Sequence, residues 1–127
     1  MPGKTLHATI KPKGQSWRAR PGEFFGGAAE VINSGGGIWK NASQKNRRHI
    51  TLGIQLLDGQ KRLLNREFSR LVLPHPLRPK ESAVLDFRAK APEQKGNYWL
   101  KFDMVCEGIE WFESCGSQPA FQELQVI

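Results

Sequence analysis

From Asn97 to Glu107, the large apolar residues Tyr98, Leu100, Phe102 and Met104 alternate with Trp99, Lys101, Asp103 and Val105. That is the period-two pattern of a strand with one buried face. The same alternation runs through Ile50, Leu52, Ile54 and Leu56, through Ala83, Leu85, Phe87 and Ala89, and through Leu124 and Val126. No long helical period appears. The pattern predicts strands over Leu6–Lys11, Glu23–Asn33, His49–Asp58, Lys61–Glu67, Ser69–Leu73, Ser82–Ala89, Asn97–Glu107 and Phe121–Ile127. Turn residues close each one. Asp58-Gly59 is a hairpin signal because glycine tolerates the positive φ of a tight turn. Pro74, Pro76 and Pro79 cannot donate to a ladder, so Leu73 to Lys80 reads as an irregular crossing between sheets. Between Ile32 and Asn41 four small residues break the period before Trp39, which reads as a flexible loop with an aromatic anchor. The result is an all-β expectation: an antiparallel sandwich of seven to eight strands, one domain over residues 1–127, with the inward sets forming a two-sheet core.

Composition adds bounds. The 127 residues are 39% hydrophobic and 24% charged, a globular balance, and no apolar run approaches the roughly 18 residues needed to cross a bilayer. Met1-Pro2-Gly3-Lys4 is followed by no apolar stretch of signal-peptide type, which makes the cytoplasm the expected compartment. Cys106 and Cys115 are too few for a disulfide framework or a zinc site, and no metal or cofactor is expected. Cys106 continues the inward set of its strand and reads as a small buried hydrophobe; a bridge to Cys115 would need an oxidising compartment. The net charge of +7 invites a polyanion, yet the cations are scattered over turns. A nucleic-acid reader gathers them on one face, so nucleic acid is an unfavoured partner. Lys45-Asn46-Arg47-Arg48-His49 is the densest cluster, with Arg47 and Arg48 as candidate anion contacts.

Three pieces together carry a resemblance: Val31-Ile32-Asn33-Ser34-Gly35 leading to Trp39, Arg70-Leu71-Val72-Leu73-Pro74 through Leu77-Arg78-Pro79-Lys80-Glu81, and Ala91-Pro92 through Gly96-Asn97-Tyr98 to Trp111-Phe112 and Gly116. From about Pro21 to Ile127 the chain resembles an immunoglobulin-like β-sandwich accessory domain that bacteria append to glycosyltransferases and methyltransferases of surface-polysaccharide synthesis. More faintly, it is similar to the four-tryptophan sandwich of autophagy receptors. The resemblance implies a non-catalytic module in a polysaccharide-related setting. One departure is Lys80, where the family pattern has glycine in a Pro-Gly-Glu turn; Pro21-Gly22-Glu23 supplies an intact copy earlier.

No catalytic constellation is legible. His7, His49 and His75 stand in unrelated contexts, and Gly35-Gly36-Gly37 lacks the lysine and helix of a phosphate loop. The carboxylates Asp103, Glu107, Glu110 and Glu113 could supply a glycosidase pair, but a strand edge and a polar loop account for them equally. Binding is better supported. In an immunoglobulin-like sandwich the strands from His49, Asn97 and Phe121 are neighbours, so the outward residues His49, Thr51, Gln55, Trp99, Lys101, Asp103, Glu123 and Gln125 share one surface. An indole stacks on the apolar face of a pyranose while amides, hydroxyls and carboxylates bond its hydroxyls, so this mixture suits a glycan, with Trp99 as the anchor. Trp17, Trp39 and Trp111 are further candidate loop contacts; the competing reading is that Trp39 and Trp111 plug the end of the sandwich and that Trp17 staples the first strand down. The alternative is a protein-interaction or assembly surface, with a partner protein or enzyme in place of the sugar.

Overall fold

The computed structural model describes residues 6–14, 17–42 and 48–127. Nine strands carry most of it: β1 (Ala8–Pro12), β2 (Trp17–Ala19), β3 (Phe24–Asn33), β4 (Ile50–Leu57), β5 (Leu63–Val72), β6 (Ser82–Lys90), β7 (Gly96–Cys106), β8 (Glu110–Trp111) and β9 (Ala120–Val126). A 3₁₀ turn, Phe112–Cys115, stands between β8 and β9. No helix among the described residues is long and apolar enough to cross a membrane.

The strands form two facing sheets. The smaller has the order β1-β3-β6; the larger runs β2-β9-β7-β4-β5, with β8 added to β7. Every pairing is antiparallel except β2 on β9, which is parallel. In β6 the burial alternates as the sequence pattern requires, with Leu85, Phe87 and Ala89 inward and Val84, Asp86 and Arg88 outward. The central strand β4 differs, being buried at all eight positions. Its inward set Ile50, Leu52, Ile54 and Leu56 joins Leu100, Phe102 and Met104 of β7 in the core. Its other half lies under structure contributed from elsewhere.

Two expectations about strands change. Lys61–Glu67 and Ser69–Leu73 are one strand, β5, because a register irregularity against β4 lets the chain pass without a break. Phe68, which separates the two segments in the sequence, packs against the core and stacks on Phe25 at 6.3 Å. Trp17 is in strand β2 rather than a loop, and its ring lies 5.3 Å from Phe87 and 5.9 Å from Phe102. Its Nε1 donates to the Lys13 carbonyl at 3.1 Å.

One end of the sandwich is closed by Trp39. Its backbone bridges to Leu77 in both directions, at 2.8 and 3.0 Å, and its ring meets Phe112 edge-on at 5.6 Å. The glycine stretch before it is fastened by Asn33, a fully buried amide that donates to the carbonyls of Gly37 and Leu77 and accepts the Gly35 N–H. Instead of the flexible loop expected there, Asn33 and Trp39 tie the segment down. The crossing from β5 to β6 contains the departure at Lys80. The Glu81 N–H donates to the Arg78 carbonyl, and Lys80 takes φ 74°, the conformation glycine would adopt. Arg20-Pro21-Gly22-Glu23 repeats the arrangement with Gly22 at φ 70°.

Candidate functional site

The outer face of the larger sheet collects the predicted surface. Strand register sets Thr51 opposite Val105, Gly53 opposite Asp103 and Gln55 opposite Lys101, while Trp99 faces Leu57 on one side and Glu123 on the other. Alternation then puts Phe121 on the same face, opposite Lys101.

This face is not a bare plateau. Trp111, opposite Val105, throws its ring across the sheet onto Gly53, where a Cβ would lie only 2.5 Å from two ring carbons. The Arg70 guanidinium also meets this ring, 5.1 Å from the centroid. Arg70 is fixed in turn by two bonds to Glu107, at 2.7 and 2.9 Å, and by Glu67; Glu107 also accepts the Thr51 hydroxyl at 2.7 Å. Burial pushes the Glu107 carboxyl up, but the bonds from Thr51 and Arg70 outweigh it and hold the group below its ordinary value. A methyl at position 53 must displace this stack. Gly53→Ala is therefore expected to cost about 1–3 kcal/mol in urea unfolding and to shift Trp111 fluorescence; an unchanged midpoint would refute the close approach.

Further along the face, the 3₁₀ turn covers Asp103. Its Oδ2 accepts the Glu113 N–H at 2.9 Å, while Oδ1 is buried with no hydrogen-bond partner among the described residues. Burial is the main cause that pushes this carboxyl up to about 6, and the neighbouring Glu113 charge adds to it. Lys101 pairs with Glu113 at 2.6 Å. Nearby, Cys115 donates its thiol to Glu110 at 2.8 Å, and that bond with partial burial pushes the thiol up to about 11. Cys106 packs half-buried against the core, and both cysteines are free.

Between the β4–β5 hairpin and the 3₁₀ turn the face sinks into a groove of about 460 Å³. Gln55, Leu57 and Lys101 come from the sheet, and Lys61, Leu63 and Arg66 from the hairpin and β5. Trp111, Glu113 and Ser114 close one side, with Phe121 from β9. The Lys61 ammonium lies 4.5 Å from the centroids of both Trp99 and Phe121. An amide, a hydroxyl, cations, a carboxylate and aromatic faces thus converge on one concave surface, a composition suited to hydroxyl-rich or charged ligands.

Of the predicted residues, Gln55, Lys101 and Trp111 line this groove and half-buried Trp99 borders it through Lys61. Thr51 and Asp103, predicted to face water, are 1% exposed, sealed by the Glu107–Arg70 cluster and by the 3₁₀ turn. Gln55, predicted outward too, is 8% exposed at the groove floor. Trp39 is 0% exposed and offers no loop contact, because it plugs the core. Trp17 is likewise packed on core rings, and Trp111 belongs to β8 rather than a loop. His49 sits at the far end, its carbonyl accepting the Glu107 N–H. Glu123 is exposed, and Gln125 lies beside Arg18 of β2, toward the other edge of the sheet. Arg48 is exposed before β4, and Arg47 lies outside the described residues. The sequence reading misses Lys61, Arg66 and Phe121. Phe121 shares the parity of Glu123 and Gln125 and was findable; Lys61 and Arg66 stand in the irregular hairpin, where alternation carries no signal.

No family model matches the chain, and no curated protein matches it by sequence. Solved structures do match. The CARDB domain of a Pyrococcus furiosus protein, in a crystal structure with di-metal ions, is 19% identical with a TM-score of 0.57, covering 94% of this chain and 91% of that one. The fold is immunoglobulin-like. Two further solved structures are similar in shape. The C-terminal domain of wzt is 12% identical with a TM-score of 0.52, over 94% of this chain and 70% of that one. A Listeria innocua β-glucosidase is 11% identical with a TM-score of 0.53, over 95% of this chain but only 16% of the enzyme. At such identities the likeness carries the fold alone. The di-metal feature belongs to the Pyrococcus protein; among the described residues here, no three His, Cys, Asp or Glu side chains gather to hold an ion.

Proposed function

We propose that the chain is a single non-catalytic sandwich module that holds a carbohydrate or glycoconjugate on the outer face of its larger sheet and presents it to a partner enzyme. The observation that carries this reading is the groove itself, about 460 Å³, where Gln55, Ser114, Glu113 and three cations surround the aromatic rings of Trp111 and Phe121. Hydroxyl-bonding groups beside ring faces are what a saccharide requires. The polysaccharide setting comes from the sequence resemblance, and the wzt C-terminal domain is similar in fold.

The test is a broad glycan array followed by titration of the retained glycans. Trp99→Ala and Phe121→Ala are each expected to weaken binding about tenfold, or about 1.4 kcal/mol, with the β circular-dichroism spectrum unchanged. A wild-type protein that retains no glycan, or affinities unmoved by both substitutions, would reject the reading.

A protein-interaction role is favoured by a different observation. Strand β5 is an edge of the larger sheet and exposes Leu63, Leu64 and Val72, the kind of apolar edge that pairs with another chain.

A further inference from the structure

The charge of the groove narrows the class of sugar, an inference that rests on the glycan reading above. Three cations line it, Lys61, Arg66 and Lys101, against one carboxylate, Glu113. Lys101 is already paired with Glu113. Lys61 and Arg66 have no carboxylate partner among the described residues. Glu123 is the other carboxylate near this end of the face, set opposite Trp99, and it pairs with neither cation.

The backbone at Lys61 is held in place rather than left to swing. The turn that carries it is fastened by Asp58, whose carboxylate accepts the N–H groups of Gln60 and Arg62 at 2.9 Å each and the Arg62 Nε at 2.8 Å. The Lys61 N–H donates to the Asp58 carbonyl at 2.9 Å, and Lys61 itself takes φ 63°, a conformation that residues other than glycine and asparagine seldom adopt. From this fixed backbone position the ammonium reaches both Trp99 and Phe121, 4.5 Å from each ring centroid. Two consequences follow. One face each of Trp99 and Phe121, on which a neutral pyranose could stack, is occupied by a cation. That cation, flanked by two rings and with no carboxylate partner among the described residues, is placed to receive an anion.

We infer that the groove binds an acidic saccharide, one bearing a carboxylate, sulfate or phosphate, and that Lys61 and Arg66 hold its anionic group while Gln55 and Ser114 bond its hydroxyls. The test uses matched probes that differ in charge: oligogalacturonate against its methyl-esterified form, and a heparin hexasaccharide against its desulfated, N-acetylated and carboxyl-reduced form, with a single-stranded oligodeoxynucleotide as a third class. These are titrated on the full chain alongside an array carrying acidic and neutral glycans. At least one acidic probe is expected to bind tenfold or more tighter than its neutral match, and the pair that discriminates tells carboxylate from sulfate. Lys61→Gln and Arg66→Gln should each cost about tenfold on that probe. Lys11→Gln, which removes the same charge from the opposite sheet, should leave it unchanged.

Equal or tighter binding of the neutral forms would overturn the inference and leave the glycan reading standing. Acidic binding that falls equally with Lys11→Gln would assign it to the net charge of +7 and overturn it as well. Tighter binding of the oligodeoxynucleotide than of every glycan would replace the saccharide with nucleic acid. Retention of nothing would sink both readings.

Discussion

Trp39→Ala is expected to cost about 3–5 kcal/mol, the range for emptying a site that held a wholly buried large aromatic. The indole is 0% exposed, bridges the loop before β4 to the crossing between β5 and β6, and supports Phe112 of the 3₁₀ turn edge-on. Its removal therefore opens a cavity where three connections meet. A domain of this size has about 5–15 kcal/mol in total, so the loss is a large share. Trp39→Phe discriminates the cause. The Nε1 donor has no partner among the described residues, so phenylalanine removes an unsatisfied group while keeping most of the ring contact. Its expected cost is about 1–2 kcal/mol. Urea unfolding followed by circular dichroism at 25 °C measures both. An alanine variant within about 1 kcal/mol of wild type would show that the plug is dispensable.

A plug of this kind is legible in the sequence as a tryptophan in a loop between strands. Alternation in β6 and β9, and in β7 as far as Phe102, is regular because each presents one face to the core and one outward, and a local pattern suffices to see it. The crossing from Leu73 to Lys80 is legible for another local reason, its three prolines. What covers a face is not local. Thr51 and Gln55 have polar side chains and the outward parity of β4, yet Trp111, far along the chain, returns over this face on β8. One signal of this cover is present: Gly53, a glycine inside a strand, marks close approach of something else. Strand β2 leaves no such trace, since three residues pairing in parallel with β9 depend on where the chain's last strand settles. The groove inherits this limit. Gln55 and Lys101 follow from parity in regular strands, whereas Lys61 and Arg66 depend on a hairpin whose register shifts.

Raising the pH through about 6 is expected to weaken the domain through Asp103, the carboxyl pushed up to about 6 mainly by burial. An unfolded aspartate titrates near about 3.9, so the native state binds this proton more tightly than the unfolded chain does. The contribution to stability is therefore complete below about pH 4 and disappears as the pH rises through about 6. Above about pH 7 the folded state carries a buried charge whose cost, already net of the favourable Lys101 charge, is at most about 3 kcal/mol. Wild type alone will not display this cleanly. Glu107, held below its ordinary value, works in the opposite sense and loses stability as the pH falls. The difference between wild type and Asp103→Asn isolates the site. Asparagine is uncharged at every pH, can still accept the Glu113 N–H, and places a donor or acceptor where Oδ1 has no partner. The variant is expected to match wild type near about pH 4 and to exceed it by about 1–3 kcal/mol at about pH 7.5, measured by urea unfolding at both values. A gap that stays constant with pH would mean that Asp103 titrates alike in the folded and unfolded chain, and that the 3₁₀ turn does not seal it from water.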